Sequence, residues 1–191
     1  MKLYLLTIGI AMALISVCNI IAGTESWYFV TVAVIWCTAL QFALDGAIAI
    51  VINKMPDRWF GVNNRLYRVS QKERELYKKL KVRLWKDKVW ELGGIGGFSK
   101  KNLNEPLSAA YIERFLTESH KGVLTHRLGY VAGFLTVLAF PNACALTVAL
   151  PVALVNLYLN ILPTVILRYN TPRLLSLYTR LKRKEEKRKA V

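Results

Sequence analysis

Charge and apolar character occupy different stretches of this chain, and that segregation limits the fold more than any motif does. Residues 3–22 carry no charge at all, and residues 27–53 are interrupted only by Asp45. Residues 123–140 hold only His126 and Arg127 near their entrance, and residues 144–167 are uncharged. Each run covers the roughly 20 residues that a bilayer-spanning helix requires. A mean hydropathy of +0.30 beside a net charge of +15 is contradictory for a soluble domain and consistent for a membrane one. The expected fold is therefore an all-α membrane protein, a single membrane domain whose four transmembrane helices form two hairpins.

The basic residues set the orientation. Sixteen of the 27 Lys and Arg lie within residues 54–121 and nine follow the fourth run, whereas connectors 23–26 and 141–142 contain none. Lys and Arg are retained on the cytoplasmic side during insertion. Both termini, the central segment 54–122 and the basic tail 168–191 are accordingly expected in the cytoplasm of a multi-pass cell-membrane protein. A competing reading takes residues 1–23 as a cleaved signal peptide, which leaves three spans. Cys18, Cys37 and Cys144 all fall in apolar runs without ligand spacing, so neither a disulfide frame, a metal site nor a cofactor site is expected.

The central segment mixes charge with aromatics. Ser70-Gln-Lys-Glu73 has the form of a capping box and predicts a helix through about Leu84. Leu76, Leu80 and Leu84 share one stripe with Tyr77 beside them, a pattern suited to lying on anionic membrane lipid. A second amphipathic helix, with Tyr111, Ile112, Phe115 and Leu116 apolar, is predicted from near Pro106 into the third span. Trp27, Trp59, Trp85 and Trp90 sit near boundaries, as interfacial indoles do. Gly93, Gly94, Gly96 and Gly97, followed by Lys100 and Lys101, offer either backbone amides for a phosphate or a flexible turn. The run is not a P-loop, lacking the Gly-Lys-Ser/Thr ending and a preceding strand. The charged stretch 179–189 is expected to be solvated or held by anionic lipid; no recognition fold accompanies it, so nucleic acid is not an expected partner.

Two kinds of polar residue break the apolar pattern. Asp45 and Asn160 lie about 12 Å and about 10 Å below the cytoplasmic ends of their spans at 1.5 Å per residue. An intramembrane acid should face the bundle interior, so Asp45 is expected to pair with Asn160 or Asn156, as polar glue or as part of a substrate site. His126, one of two histidines, stands where the basic segment becomes a membrane helix, just after Glu118 and His120. A proton acceptor at the lipid–water boundary is what joining a water-soluble group to a lipid demands. Glu118 and His126 are eight residues apart, too far to touch on a straight helix unless the chain breaks at Gly122. On a straight helix Glu118 is expected to face Arg168 or Lys86 instead.

Four stretches occur in an order that resembles a known family. They are Met55-Pro56-Asp57-Arg58-Trp59-Phe60, then Val82-Arg-Leu-Trp85-Lys86-Asp-Lys88, then Glu118 to His126, and finally Arg168-Tyr169-Asn170-Thr-Pro172-Arg173-Leu174. Together they resemble the glycosyl-4,4'-diaponeurosporenoate acyltransferase family, small membrane proteins that esterify the sugar of a glycosylated carotenoid acid. The resemblance implies esterification of a hydroxyl on a glycosylated lipid or isoprenoid acceptor. The fatty acyl donor is acyl-CoA, acyl carrier protein or phospholipid. Departures at Asp87, Arg127 and Thr171 leave the acceptor open. In such a reaction His126 and Glu118 are the candidate catalytic residues, with His126 as base. Trp85, Lys86, Asp87, Arg168, Asn170, Arg173 and Asp45 are candidates for binding substrate. No serine nucleophile elbow is present. The alternative is a non-catalytic membrane scaffold or lipid-binding partner subunit in which His126 is incidental.

Overall fold

The computed structural model describes residues 2–89, 107–140 and 144–190. Every regular element among them is helical: α1 (Lys2–Ile21), α2 (Trp27–Lys54), α3 (Gln71–Lys79), α4 (Val82–Trp85), α5 (Ala109–Leu135) and α6 (Leu150–Lys189), with short 3-10 and π turns between. Four helical stretches are long and apolar enough to cross a membrane: Tyr4–Ile21, Trp27–Lys54, Ala109–Ala139 and Ala145–Lys189. The glycine run 93–97, Trp90 and Pro106 lie outside the described residues. By internal contacts the chain forms two compact units, Met1–Ile52 with Thr125–Leu162 and Asn53–Leu124 with Pro163–Val191.

The first unit is built on small side chains. Val30, Ala33, Val34 and Cys37 of α2 pack with Val148, Ala149 and Val152, and Met12 and Ile15 of α1 join them. Side chains this small let helix backbones approach closely, which replaces the hydrophobic drive that lipid does not provide. Large apolar residues on the other faces, among them Leu6, Leu14, Ile35 and Trp36, stay exposed. α1 stops at Gly23, whose φ of 65° is left-handed. Asn19 fastens that end: its amide donates to the carbonyls of Ile15 and Thr147, each at 2.8 Å.

The second unit has two small cores. Ile112, Phe115 and Leu116 of α5 pack with Leu174 of α6. Val69, Tyr77 and Val82 form the other, with Trp85, Val165 and Tyr169 against them. Ser70 caps α3 as expected, its Oγ accepting from the Glu73 amide at 3.2 Å. The helix does not continue to Leu84, however. It breaks at Lys81, which takes a left-handed φ of 49°. The reason is Val82, which the break turns into the core, where it is completely buried. Leu76, Leu80 and Leu84 remain exposed while Tyr77 is buried, so the leucines form the outer face of this segment.

α5 runs without interruption through Gly122 into the third apolar stretch. α6 likewise passes through Pro163 and Pro172 without ending. The basic stretch 179–189 is its last part, and it is not only a solvated tail. Glu185 Oε1 accepts from the Ala109 amide at 2.9 Å, placing a carboxylate on the positive end of α5.

Candidate functional site

In the first unit the polar residues converge on α5. Asn160 is the centre: its Nδ2 donates to Asp45 Oδ2 at 3.2 Å and to Asn156 Oδ1 at 2.9 Å, and its Oδ1 lies 2.8 Å from His126 Nδ1. A carboxylate oxygen only accepts, so the amide nitrogen of Asn160 faces Asp45 and its oxygen faces the ring. His126 Nδ1 therefore carries the hydrogen, and Nε2 is the basic nitrogen of the neutral ring. Asp45 is thus linked to the ring through Asn160.

Glycine makes this approach feasible. A Cβ on Gly129 would lie 2.7 Å from Asp45 Oδ1 and 3.2 Å from Asn160 Oδ1. One turn on, a Cβ on Gly133 would lie 2.8 Å from Asn156 Nδ2 and 2.9 Å from Gln41 Oε1. Without side chains there, Asn156 donates to the Gly129 carbonyl at 3.3 Å and Gln41 to that of Gly133 at 2.9 Å. Asp45 Oδ1 and Gln41 Oε1 are buried and have no hydrogen-bond partner among the described residues. Both line a narrow cleft of about 30 Å³, together with Thr38, Asn156 and apolar residues that include Ile8, Met12, Phe42 and Leu159.

The second unit collects the other named residues. Arg168 holds Glu73 through both Nε and Nη2, the latter at 2.6 Å, and Nη2 also donates to the Arg68 carbonyl at 3.1 Å. Tyr77 donates its hydroxyl to the same carboxylate. Burial alone pushes the Glu73 carboxyl up. The hydrogen bonds from Arg168 and Tyr77 and the guanidinium charge outweigh it and hold the group below the usual glutamate range. Tyr77 is raised, by burial first and then by that carboxylate. Arg168 thus stands in a structural clamp, and only its Nη1, buried and without a partner among the described residues, is left over.

Glu118 does not meet His126, because the break at Gly122 that such a contact needs is absent. Nor does it face Arg168 or Lys86. It pairs with Lys121 one turn away at 3.4 Å, and Lys121 also binds Asp57 at 2.6 Å. Lys86 pairs with its neighbour Asp87 at 2.7 Å, and Trp85 Nε1 donates to the Leu80 carbonyl at 3.0 Å. Asn170 is half-buried on α6. Arg173 is exposed and lies over the Tyr169 ring, 4.9 Å from its centre.

Gln41, Gly129 and His120 were not singled out as site residues by the sequence, and Asn156 was named only as an alternative partner of Asp45. Gln41 and Asn156 carried a signal, since each stands four residues before Asp45 or Asn160 and so on the same helix face. His120 is the larger omission. Its ring is buried, stacked on Tyr67 at 4.3 Å, and fixed by Nδ1 to the Phe60 carbonyl at 2.8 Å.

The family model of glycosyl-4,4'-diaponeurosporenoate acyltransferases matches residues 56–180, about two thirds of the chain. No curated protein and no solved structure matches. The matched stretch contains His126, Asn160, Glu73 and Arg168, while Asp45 and Gln41 lie before it. The chain belongs to the glycosyl-4,4'-diaponeurosporenoate acyltransferase family, and with it to the acyltransferases.

Proposed function

We propose that the chain transfers a fatty acyl group to a hydroxyl of a glycosylated lipid or isoprenoid at the cytoplasmic face of the cell membrane, with His126 as general base. The supporting observation is the linked series His126 Nδ1, Asn160 and Asp45, at 2.8 Å and 3.2 Å. His126 Nε2 takes the hydroxyl proton as the oxygen attacks the acyl carbonyl. The tetrahedral oxyanion collapses, breaking the bond to the donor, and the imidazolium returns the proton to the departing thiolate or alkoxide. Proton transfer of this kind contributes about 10²–10⁴-fold.

The cleft beside Asp45, about 30 Å³, is too small for a fatty chain, so the acyl chain is assigned to the apolar outer surface at that level. Arg173, Asn170 and Lys86 are assigned to the head group or phosphate of the donor, whether acyl-CoA, acyl carrier protein or phospholipid, and Trp85 to the interface. Arg168 acts by holding the second unit together through Glu73. The concentration of Lys and Arg in residues 54–121 and after residue 167 supports cytoplasmic termini. The test uses the detergent-purified protein with a labelled acyl donor and a glycolipid extract, comparing wild type with His126→Ala and His126→Gln. Ester formation is expected in wild type alone. A His126→Ala protein that forms ester at the wild-type rate removes the proposed base.

A further inference from the structure

The second unit contains a cavity of about 230 Å³ that the acyl-transfer reading does not use. His120, Tyr67 and Leu116 line it, as do Thr171 and the guanidinium-bearing Arg68 and Arg74. His120 is 3% exposed, and its Nε2 has no partner among the described residues.

The chemistry of that nitrogen is determined by the other one. The Phe60 carbonyl can only accept, so Nδ1 carries the hydrogen and a neutral ring presents a lone pair at Nε2. Two features keep the ring neutral: burial disfavours the charged form, and Arg168 is a cation in its electrostatic neighbourhood. A buried acceptor left unmatched is costly, so what occupies the cavity should bring a donor. Arg68 and Arg74 are exposed side chains with no carboxylate partner among the described residues, and they call for an anion. Pockets for drug-sized ligands are usually 300 Å³ or more, so about 230 Å³ fits a head group and not a whole lipid.

We infer that this cavity binds a hydroxylated phosphate ester, whose hydroxyl donates to His120 Nε2 and whose phosphate oxygens are held by Arg68 and Arg74. A glycerol phosphate has both groups a few bonds apart. The same chemistry comes from a soluble polyol phosphate or from a polyol phospholipid head group. The inference does not depend on the role of His126, and its test reads binding and not turnover.

The chain has only two histidines, so ring-labelled protein gives two imidazole signals in NMR, assigned with His126→Gln. Detergent-purified full-length protein is titrated with glycerol 3-phosphate and with methyl phosphate, which lacks the hydroxyl. Glycerol 3-phosphate is expected to shift the His120 signal saturably and to bind at least about fivefold tighter than methyl phosphate, the scale for satisfying one buried acceptor. The paired substitution Arg68→Gln, Arg74→Gln, at exposed positions, is expected to weaken both at least about tenfold. His120→Phe, which keeps a ring against Tyr67, is expected to abolish the preference while methyl phosphate still binds.

Nanodiscs separate the two sources. A His120 shift in phosphatidylglycerol discs but not in phosphatidylcholine discs, without soluble ester, assigns the lipid head group. A shift with glycerol 3-phosphate in phosphatidylcholine discs, and none from phosphatidylglycerol alone, assigns the soluble ester. Equal affinity for the two soluble esters, binding that ignores the arginine substitutions, or no shift in any arm overturns the proposal. The first and third of these leave water as the partner of Nε2. If His120→Phe does not fold, the wild-type preference and the arginine pair decide the matter.

Discussion

The two histidines differ in what holds them, and the difference separates their chemistry. His126 is fixed by a side-chain amide that in turn bonds the Asp45 carboxyl group. His120 is fixed by the Phe60 carbonyl and stacked on Tyr67, with the cationic Arg168 as its charged neighbour. The first arrangement suits a ring that takes up a proton and releases it. The second suits a ring that stays neutral and accepts a hydrogen bond. Burial differs as well, His120 being buried and His126 half-buried, but it is the partners that separate their chemistry.

The largest effect that tests the contrast is loss of the base. His126→Ala should lower ester formation by about 10²–10⁴-fold, measured as labelled acyl transferred into lipid. A full rate would erase the distinction between the histidines. Next comes the glycine that lets Asp45 reach α5. With a Cβ 2.7 Å from Asp45 Oδ1, Gly129→Ala should displace the network and reduce kcat by about 10²-fold while helicity by circular dichroism is retained. An active Gly129→Ala enzyme shows that the Asp45 and Asn160 positions do not matter to the reaction.

On the other side of the comparison, Glu73→Gln leaves the nearly buried Arg168 without its anion. The expected loss is about 2–3 kcal/mol of unfolding stability, read by denaturant melts in detergent; one fifth exposure of Glu73 keeps it below the cost for a fully buried pair. The pH dependence has the corresponding sign. A carboxyl that is a stronger acid when folded contributes fully above the usual glutamate range, and the contribution disappears as pH falls through the lower folded value. Wild type should therefore lose stability on acidification more steeply than Glu73→Gln, and parallel profiles count against the clamp. The smallest effect is the coupling between Asp45→Ala and Asn160→Ala in a double-mutant cycle on ester formation, about 1 kcal/mol. Additive single effects mean that Asn160 orients His126 without help from Asp45.

How far the sequence revealed these two regions depended on whether the responsible interaction was local. The apolar runs were legible because crossing a bilayer is a property of one helix at a time. The start of α3 was legible because Ser70 caps through an amide three residues on. Its end was not, since the break at Lys81 serves Val82, whose burial depends on Val69 and Tyr77. Asp45 and Asn160 could be matched by depth, yet Gly129 had no visible role until its carbonyl and missing Cβ were placed among them. Arg168 was legible as a cation at the end of a span, but nothing near it in sequence predicts that Glu73 is its partner. Glu118 was sent to distant cations although Lys121, one turn on, was the local choice.

The clamp between Glu73 and Arg168 has a consequence for synthesis. The two residues are separated by 95 positions, and the second unit contains both segments of chain. At about 5–20 residues per second, Glu73 is made roughly 5–20 s before the arginine that neutralises it. During that interval Val69, Tyr77 and Val82 have no Val165 or Tyr169 of α6 to pack on. The membrane surface, or a chaperone, must keep this half-finished unit from aggregating until translation supplies the rest.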